Sequence, residues 1–327
     1  MVDRITVEIN ERGKWLRVPA LQVGCTKLIV RGRLLRIAFV LDEDWLDRET
    51  DNPDLCLRAL KEEDSSGVRA DLFTFAQKPP ATTPRYQYPL EWQSTAVVRT
   101  SSFKGWWEKL PQATRKNVRR AQKHGVVVRV CQLDENFIKG LVELNNDSPF
   151  RQRKAYLNYG KTFEQVQKDQ STFLDRSEFV GAYFKDELIG YLKIVYRGEI
   201  ASILQFLPKA SHRDKRPANA LIAKAVELCE SKGIPFLTYG LFNYGNKGDC
   251  PLREFKIRNG FEEMLVPRFY VPLSLRGSVC LKMKLHLGLI GILPSRLIAL
   301  SLGARDSWLS FWRLTSRRGR IAERKGT

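Results

Sequence analysis

The stretch from residue 179 to residue 273 limits the fold more than any other part of the chain. FVGAYF (179–184) and LIGYLKIVY (188–196) flank Lys185-Asp186-Glu187, a polar turn between two β-rich runs, and so predict a hairpin. EIASILQFL (199–207) follows Arg197-Gly198 as a third strand. A basic loop over 209–216 leads to a helix that Pro217 opens and Gly233 closes, the usual asymmetry of helix ends. Leu221, Ile222, Ala225, Val226, Leu228 and Cys229 recur at helical spacing, which buries one face. FLTYG (236–240) reads as a short buried strand. Residues 251–258 read as a second helix, ended by Asn259-Gly260, and 261–273 as a returning strand. This order is that of an α/β protein.

The ending FKIRNGF (255–261) is the most specific part of the pattern. It resembles the helix-to-strand FYxxxGF signature of the GNAT acyltransferases, and the element order over 179–273 resembles their core. Residues 115–176 would supply the preceding elements. In many GNAT enzymes the Tyr of the signature protonates the departing thiolate of coenzyme A; here Lys256 stands in its place. The pair Phe255-Lys256 is similar instead to the Fem-type aminoacyltransferases, which build peptidoglycan cross-bridges on a doubled GNAT-like fold. The resemblance implies that two neighbouring strands, 201–207 and 236–240, splay to receive the amide chain of the donor. It also implies that the next helix N-terminus binds pyrophosphate. The coenzyme A loop of the family reads Gln/Arg-x-x-Gly-x-Gly/Ala, and this chain offers Arg213-Asp214-Lys215-Arg216-Pro217-Ala218. Arg213 and Ala218 fit. Arg216 replaces the central Gly, where a Cβ obstructs close approach to the backbone. Arg213, Lys215 and Arg216 can still hold phosphate through their side chains.

Acyl transfer to an amine needs a base for the amine, positive charge at the nascent oxyanion and a proton for the leaving group. Lys256 is the first choice for the charge, with Phe255 packed beneath it and Tyr239 ending the donor strand. Asn243, Tyr244 and Arg253 are candidate orienting donors, and Glu254 or Asp249 a base. The plain alternative for Lys256 is a surface lysine on an amphipathic helix. No nucleophile-elbow sequence is present, so Ser/His/Asp catalysis has no support.

The net charge of +19 favours anionic partners: nucleic acid, anionic lipid or a phosphorylated substrate. It is carried unevenly. In the predicted helix over 111–124, Arg115, Arg119 and Lys123 share a face at i, i+4 spacing with Lys116 and Arg120 beside them. That face is either simply solvated or a docking surface for phosphates. A strand over 126–133 and a helix over 137–146 follow. FRQRKAYLNYGK (150–161) then gathers Arg151, Gln152, Arg153, Lys154, Tyr156, Tyr159 and Lys161, a mixture suited to an anionic ligand with a flat moiety. Arg151, Gln152, Tyr159, Lys161 and Arg253 are therefore the candidate substrate-binding residues, with an ordinary basic surface loop as the alternative for 150–161.

The N-terminal part is β-rich. Residues 15–45 hold two β runs, LIVRG (28–32) and RLLRIAFVL (33–41), and an acidic patch at Asp42, Glu43, Asp44 and Asp47. A short helix from Pro53, a strand or helix over 70–77 and an irregular segment over 78–89 follow. Pro79, Pro80, Pro84 and Pro89 exclude a helix or sheet interior there. Trp106-Trp107 read as an anchor between units. After residue 273, apolar clusters broken by Gly288, Gly291 and Pro294 alternate with arginines, and Trp308, Phe311 and Trp312 lie among them. This extension is either an interfacial membrane anchor or a set of helices packed on the core. The six cysteines are scattered without a CxxC pair, and the N-terminus lacks an apolar signal core, which points to a reducing cytoplasm. Only His124, His212 and His286 are present, far apart, which argues against a metal site.

The expectation is an α/β protein with a GNAT-like mixed-sheet core, doubled if the Fem likeness holds. The expected units are 1–97, β-rich; 98–273, the acyltransferase core; and 274–327, a basic amphipathic extension. The expected activity is N-acyl or aminoacyl transfer to an amine on an anionic, envelope-linked acceptor, at the inner face of the membrane. Acyl-coenzyme A or aminoacyl-tRNA would be the donor substrate, with no firm cofactor. The altered loop and Lys256 together tilt the choice toward aminoacyl-tRNA. The competing expectation is a degenerate, non-catalytic GNAT fold that binds RNA or anionic membrane. Oligomeric state is not legible.

Overall fold

The computed structural model describes residues 2–11, 13–46, 52–62, 69–151, 154–244 and 250–287. The chain opens with β1 (Val2–Glu11), β2 (Lys14–Val23), β3 (Thr26–Arg31), β4 (Ile37–Val40), α1 (Pro53–Glu62) and β5 (Leu72–Ala76). It continues through β6 (Leu90–Arg99), α2 (Phe103–Lys109), α3 (Gln112–Lys123), β7 (Val127–Cys131) and α4 (Glu135–Asn145). The two-residue strands β8 (Phe150–Arg151) and β9 (Lys154–Ala155) precede α5 (Phe163–Gln170). Then come β10 (Ser177–Phe184), β11 (Glu187–Arg197), β12 (Ile200–Pro208), α6 (Pro217–Ser231), β13 (Phe236–Leu241), α7 (Pro251–Arg258), β14 (Glu262–Pro272) and α8 (Leu275–Lys282).

Among the described residues, a 12-stranded sheet runs in the order β1-β2-β3-β4-β5-β14-β6-β13-β12-β11-β10-β7. Its two parallel pairs, β4 with β5 and β12 with β13, are each joined by a crossover helix, α1 and α6. That recurrence is the internal repeat that a doubled fold would show. The halves exchange strands at the middle: β14 pairs with β5 and β6, and β6 pairs with β13. The expected boundary at residue 97 therefore falls inside β6, and the two halves share one sheet.

The hairpin at 185–187 turns as expected, with Lys185 and Asp186 both in the left-handed region. β11 is buried along nearly its whole length because both of its faces are covered. Ile189, Leu192 and Ile194 pack with α6, and Leu188 and Tyr191 pack with α4 and α5. Two-sided burial explains why its sequence is nearly continuous apolar. Trp106 packs within the expected core unit, against the end of α7, rather than between units. Its indole donates to the Asn259 carbonyl at 3.1 Å, and a Cβ on Gly260 would lie 2.7 Å from that nitrogen, so only glycine fits under the ring.

Two elements differ from expectation. Residues 2–11, not expected as sheet, form β1; Ile5, Val7 and Ile9 alternate inward, with Arg4 and Glu8 on the other face. α5 was not expected, although Thr162 and Gln165 form a capping box at its start. Of the two alternatives for 70–77, the structure has the strand, β5. The Pro-rich segment after it is irregular and packed: Tyr86 and Tyr88 lie edge-on to Phe75, and Gln77 accepts from the Arg85 backbone at 2.8 Å. In the C-terminal extension, α8 packs on the sheet, where a Cβ on Gly277 would fall 1.9 Å from the Asp71 carbonyl oxygen. Residues 288–327 lie outside the described residues. No helix among the described residues is long and apolar enough to cross a membrane.

Candidate active site

β12 and β13 pair at only three positions, Ile200 with Phe236, Ala201 with Leu237 and Ser202 with Thr238. Beyond them β12 continues to Pro208 while β13 leaves it. β13 also breaks register with β6 between Thr238 and Leu241, and Gly240 there takes a φ of 54°. The expected splay is thus built at the expected strands.

Alternation sends Ala96, Val98, Ala201 and Leu237 into the core with α6. Thr95, Ser202 and Thr238 face the other way, and Ser202 and Thr238 share a hydrogen bond of 2.7 Å. On that polar face lies a cavity of about 270 Å³. Its floor includes Thr95, Ser202 and Thr238; Asp44 and Lys78 stand on its wall; Tyr239 and Tyr244 border it.

Lys256 is fully buried, not a surface lysine. α7 starts at Pro251, so Lys256 falls on the turn of helix facing β13. Its Nζ donates to the Tyr239 carbonyl at 2.6 Å, the Leu241 carbonyl at 2.6 Å and the Tyr244 hydroxyl at 3.0 Å. It also stands over the rings of Tyr239 and Tyr244, at 4.5 and 4.9 Å. An ammonium has three N–H groups, and all three are used. Burial pushes its pKa down to about 8. Because the Tyr244 oxygen accepts from Lys256, its own O–H is directed elsewhere, and Tyr244 borders the cavity. Burial, with Cys250 near, raises the Tyr244 pKa. Lys256 does not itself line the cavity; its three acceptor residues, Tyr239, Leu241 and Tyr244, do.

Phe255 packs on Phe206 at 5.6 Å, and Phe206 meets Tyr239 edge-on at 5.7 Å. Asn243 is an organiser: its Nδ2 donates to Glu263 at 2.6 Å, and its Oδ1 accepts from Arg253 Nε at 2.8 Å. Arg253 also covers the Phe242 ring at 5.2 Å. Glu254 is exposed and ion-paired with Arg258. Asp249 lies outside the described residues.

At the start of α6, Arg216 holds a left-handed backbone, φ 60°. Lys215 is engaged with Asp214 at 3.1 Å, and Arg213 is exposed. Ala218 sits in the first turn behind Pro217, which removes one N–H. Asn219 of this turn donates to Asn259 at 2.9 Å, and Thr114 of α3 donates to the Arg258 carbonyl at 2.8 Å. α3 and α6 thus begin against the same end of α7. Of the α3 cations, Arg119 covers the Trp107 ring at 5.6 Å; none of Arg115, Lys116, Arg119, Arg120 and Lys123 forms an ion pair among the described residues.

The structure places Arg151 and Lys161 in structural roles, away from the Lys256 cavity. Arg151 donates to the carbonyls of Pro208 at 2.9 Å and Leu144 at 3.1 Å, which ties the end of β12 to α4. Lys161 is buried against Asp169, which also accepts from Asn10 and Trp15, each at 2.9 Å. Tyr159 is exposed, and Gln152 lies outside the described residues. The cavity residues Thr95, Ser202, Thr238 and Asp44 carried no signal in the sequence; Asp44 was visible only as part of an acidic patch.

No family model matches the sequence, and none of the curated proteins matches it. Solved structures do match. The C-terminal domain of a protein assigned as a lysylphosphatidylglycerol synthetase from Agrobacterium fabrum aligns with a TM-score of 0.52 at 15% identity, over 84% of this chain and 87% of that one. L-PGS from Bacillus licheniformis aligns with a TM-score of 0.51 at 14% identity, over 83% and 86%. FemX aligns with a TM-score of 0.48 at 10% identity, over 87% and 90%. At these identities the likeness is one of fold: the chain shares the mixed α/β fold of the two synthetase structures.

Proposed function

We propose that the protein transfers an acyl or aminoacyl group to an amine at the cavity beside the β12–β13 gap. The observation that carries this reading is Lys256: a buried cation placed under a cavity-lining hydroxyl where two strands part. In this scheme the donor carbonyl lies in the gap and the amine attacks its carbon. The carbonyl oxygen gains charge and accepts from the Tyr244 hydroxyl, which Lys256 polarises. Asp44, a cavity carboxylate with no ion pair among the described residues, takes the proton that the amine loses. As the tetrahedral adduct collapses, the bond from its carbon to the donor's ester oxygen or thioester sulfur breaks, and the departing alcohol or thiol takes that proton from Asp44. The acceptor would be anionic and envelope-linked, in keeping with the charge of the chain.

For the donor, aminoacyl-tRNA is preferred to acyl-coenzyme A. Pro217 and the Arg216 side chain crowd the backbone site for pyrophosphate, whereas α3, which begins against the same end of α7 as α6 does, carries a row of cations without ion pairs among the described residues and suits a polyanion. Titration with acetyl-coenzyme A and, separately, with charged tRNA tests this. Steeply salt-dependent tRNA binding that Arg115→Ala/Arg119→Ala weakens supports the preference. Micromolar, salt-insensitive coenzyme A binding without tRNA affinity overturns it. A second reading, binding without chemistry, is favoured by one fact: every N–H of Lys256 is satisfied internally. Saturable donor binding with no transfer to any amine would select it.

A further inference from the structure

Away from the Lys256 cavity, and independently of the transfer reading, we propose that one corner of the molecule docks on an anionic phospholipid bilayer. A second cavity, of about 320 Å³, opens where the end of α1 and the start of α8 meet the segments leading into β4 and β5. Arg36, Lys61, Arg69 and Arg276 line it, with Asp71 as the acid in its wall. Asp71 does not pair with these cations. Its Oδ2 accepts from the Arg36 backbone at 2.9 Å, and its Oδ1 accepts from the Ser274 hydroxyl at 2.9 Å. Arg36, Lys61 and Arg276 form no ion pair among the described residues. Converging cations repel unless an anion sits among them, and guanidinium groups fit phosphate oxygens closely.

The surroundings of this cavity say which phosphate. Leu275 and Leu34 are 89% and 80% exposed, the two most exposed large apolar side chains among the described residues. Leu275 lies between Ser274 and Arg276, both cavity residues. Leu34 lies two residues before Arg36, in the tight turn after Gly32, whose φ is 103°. Val279 and Met283, one and two turns beyond Leu275, are also exposed, while Gly277 is buried against the sheet. α8 thus shows solvent an apolar stripe flanked by Arg276 and Lys282. A free phosphate would account for the cations but not for the leucines. A lipid surface accounts for both, with apolar side chains below the headgroups and cations among the phosphates.

Co-sedimentation of the full-length protein with phosphatidylcholine vesicles, and with equimolar phosphatidylcholine and phosphatidylglycerol vesicles, tests the proposal. The wild type should bind the anionic vesicles, less so as salt rises, and the neutral ones weakly. Leu34→Ser/Leu275→Ser should lower the partition coefficient about tenfold or more, as expected for withdrawing two leucines from an apolar phase. Arg36→Gln/Arg276→Gln should lower it about tenfold and flatten the salt dependence. Millimolar inorganic phosphate should not release the protein. All four side chains are exposed, and thermal unfolding verifies each variant; where a double variant does not fold, Leu275→Ser and Arg276→Gln alone serve. The proposal falls if the wild type ignores anionic vesicles, if the variants sediment as the wild type does, or if inorganic phosphate releases the protein.

Discussion

Among the described residues, two lysines are buried completely, Lys193 on β11 and Lys256 on α7, and their surroundings differ. Lys193 donates to the Gln170 carbonyl at 2.7 Å and to both the carbonyl and the hydroxyl of Thr172. It staples the end of α5 to β11, the third strand from the β7 edge of the sheet. Lys256 has the same number of acceptors and the same pKa, about 8, lowered by the same cause, burial. What separates them is the third acceptor. For Lys193 it belongs to the connection after α5; for Lys256 it is Tyr244, on the wall of a cavity. A buried, perturbed lysine is thus no sign of function by itself. A buried lysine with a hydroxyl route into an open site is one.

Methionine at each position breaks the comparison most strongly. Lys256→Met should lower turnover per folded molecule by about 10²–10³-fold, the scale of losing one oxyanion donor, read in single-turnover transfer. Lys193→Met should leave turnover per folded molecule nearly unchanged. Instead it should lower the unfolding free energy by about 2–4 kcal/mol, because buried carbonyls lose their donor, read by denaturant titration. Tyr244→Phe removes the donor through which Lys256 acts, so it should cost at least as much turnover, about 10²–10³-fold, with little change in stability. The smallest effect is in pH. Turnover should fall as pH rises through about 8, as Lys256 loses its proton. Stability should move the opposite way at Lys193. The folded pKa is lowered from 10.5 to about 8, so between those values the unfolded chain binds more protons, and wild-type stability relative to Lys193→Met should rise with pH.

The second half of the fold was legible because its punctuation is local. Lys185-Asp186, Pro217, Gly233 and Asn259-Gly260 each mark a boundary that the structure keeps. The N-terminal hairpin was not, because the charges of residues 3, 4, 8 and 11 mask the alternation of Ile5, Val7 and Ile9. At the site, Lys256, Phe255 and Tyr239 could be placed from one motif. Thr95, Ser202 and Thr238 could not, since small polar residues in strands mean little until three distant strands align them on one face. Arg151 and Lys161 were read as ligand-facing from their residue types; their partners, the carbonyls of Leu144 and Pro208 and the carboxylate of Asp169, are set by tertiary packing.

The central claim is that the charge of Lys256 acts on the cavity through the Tyr244 hydroxyl. A double-mutant cycle in single-turnover transfer tests it most directly, with Lys256→Met, Tyr244→Phe and the pair together. If the two form one relay, the double variant should transfer no more slowly than the slower of the two single variants. Losses that multiply, so that the double variant is slower than either by the product of both factors, would show that Lys256 and Tyr244 act separately and would contradict the claim.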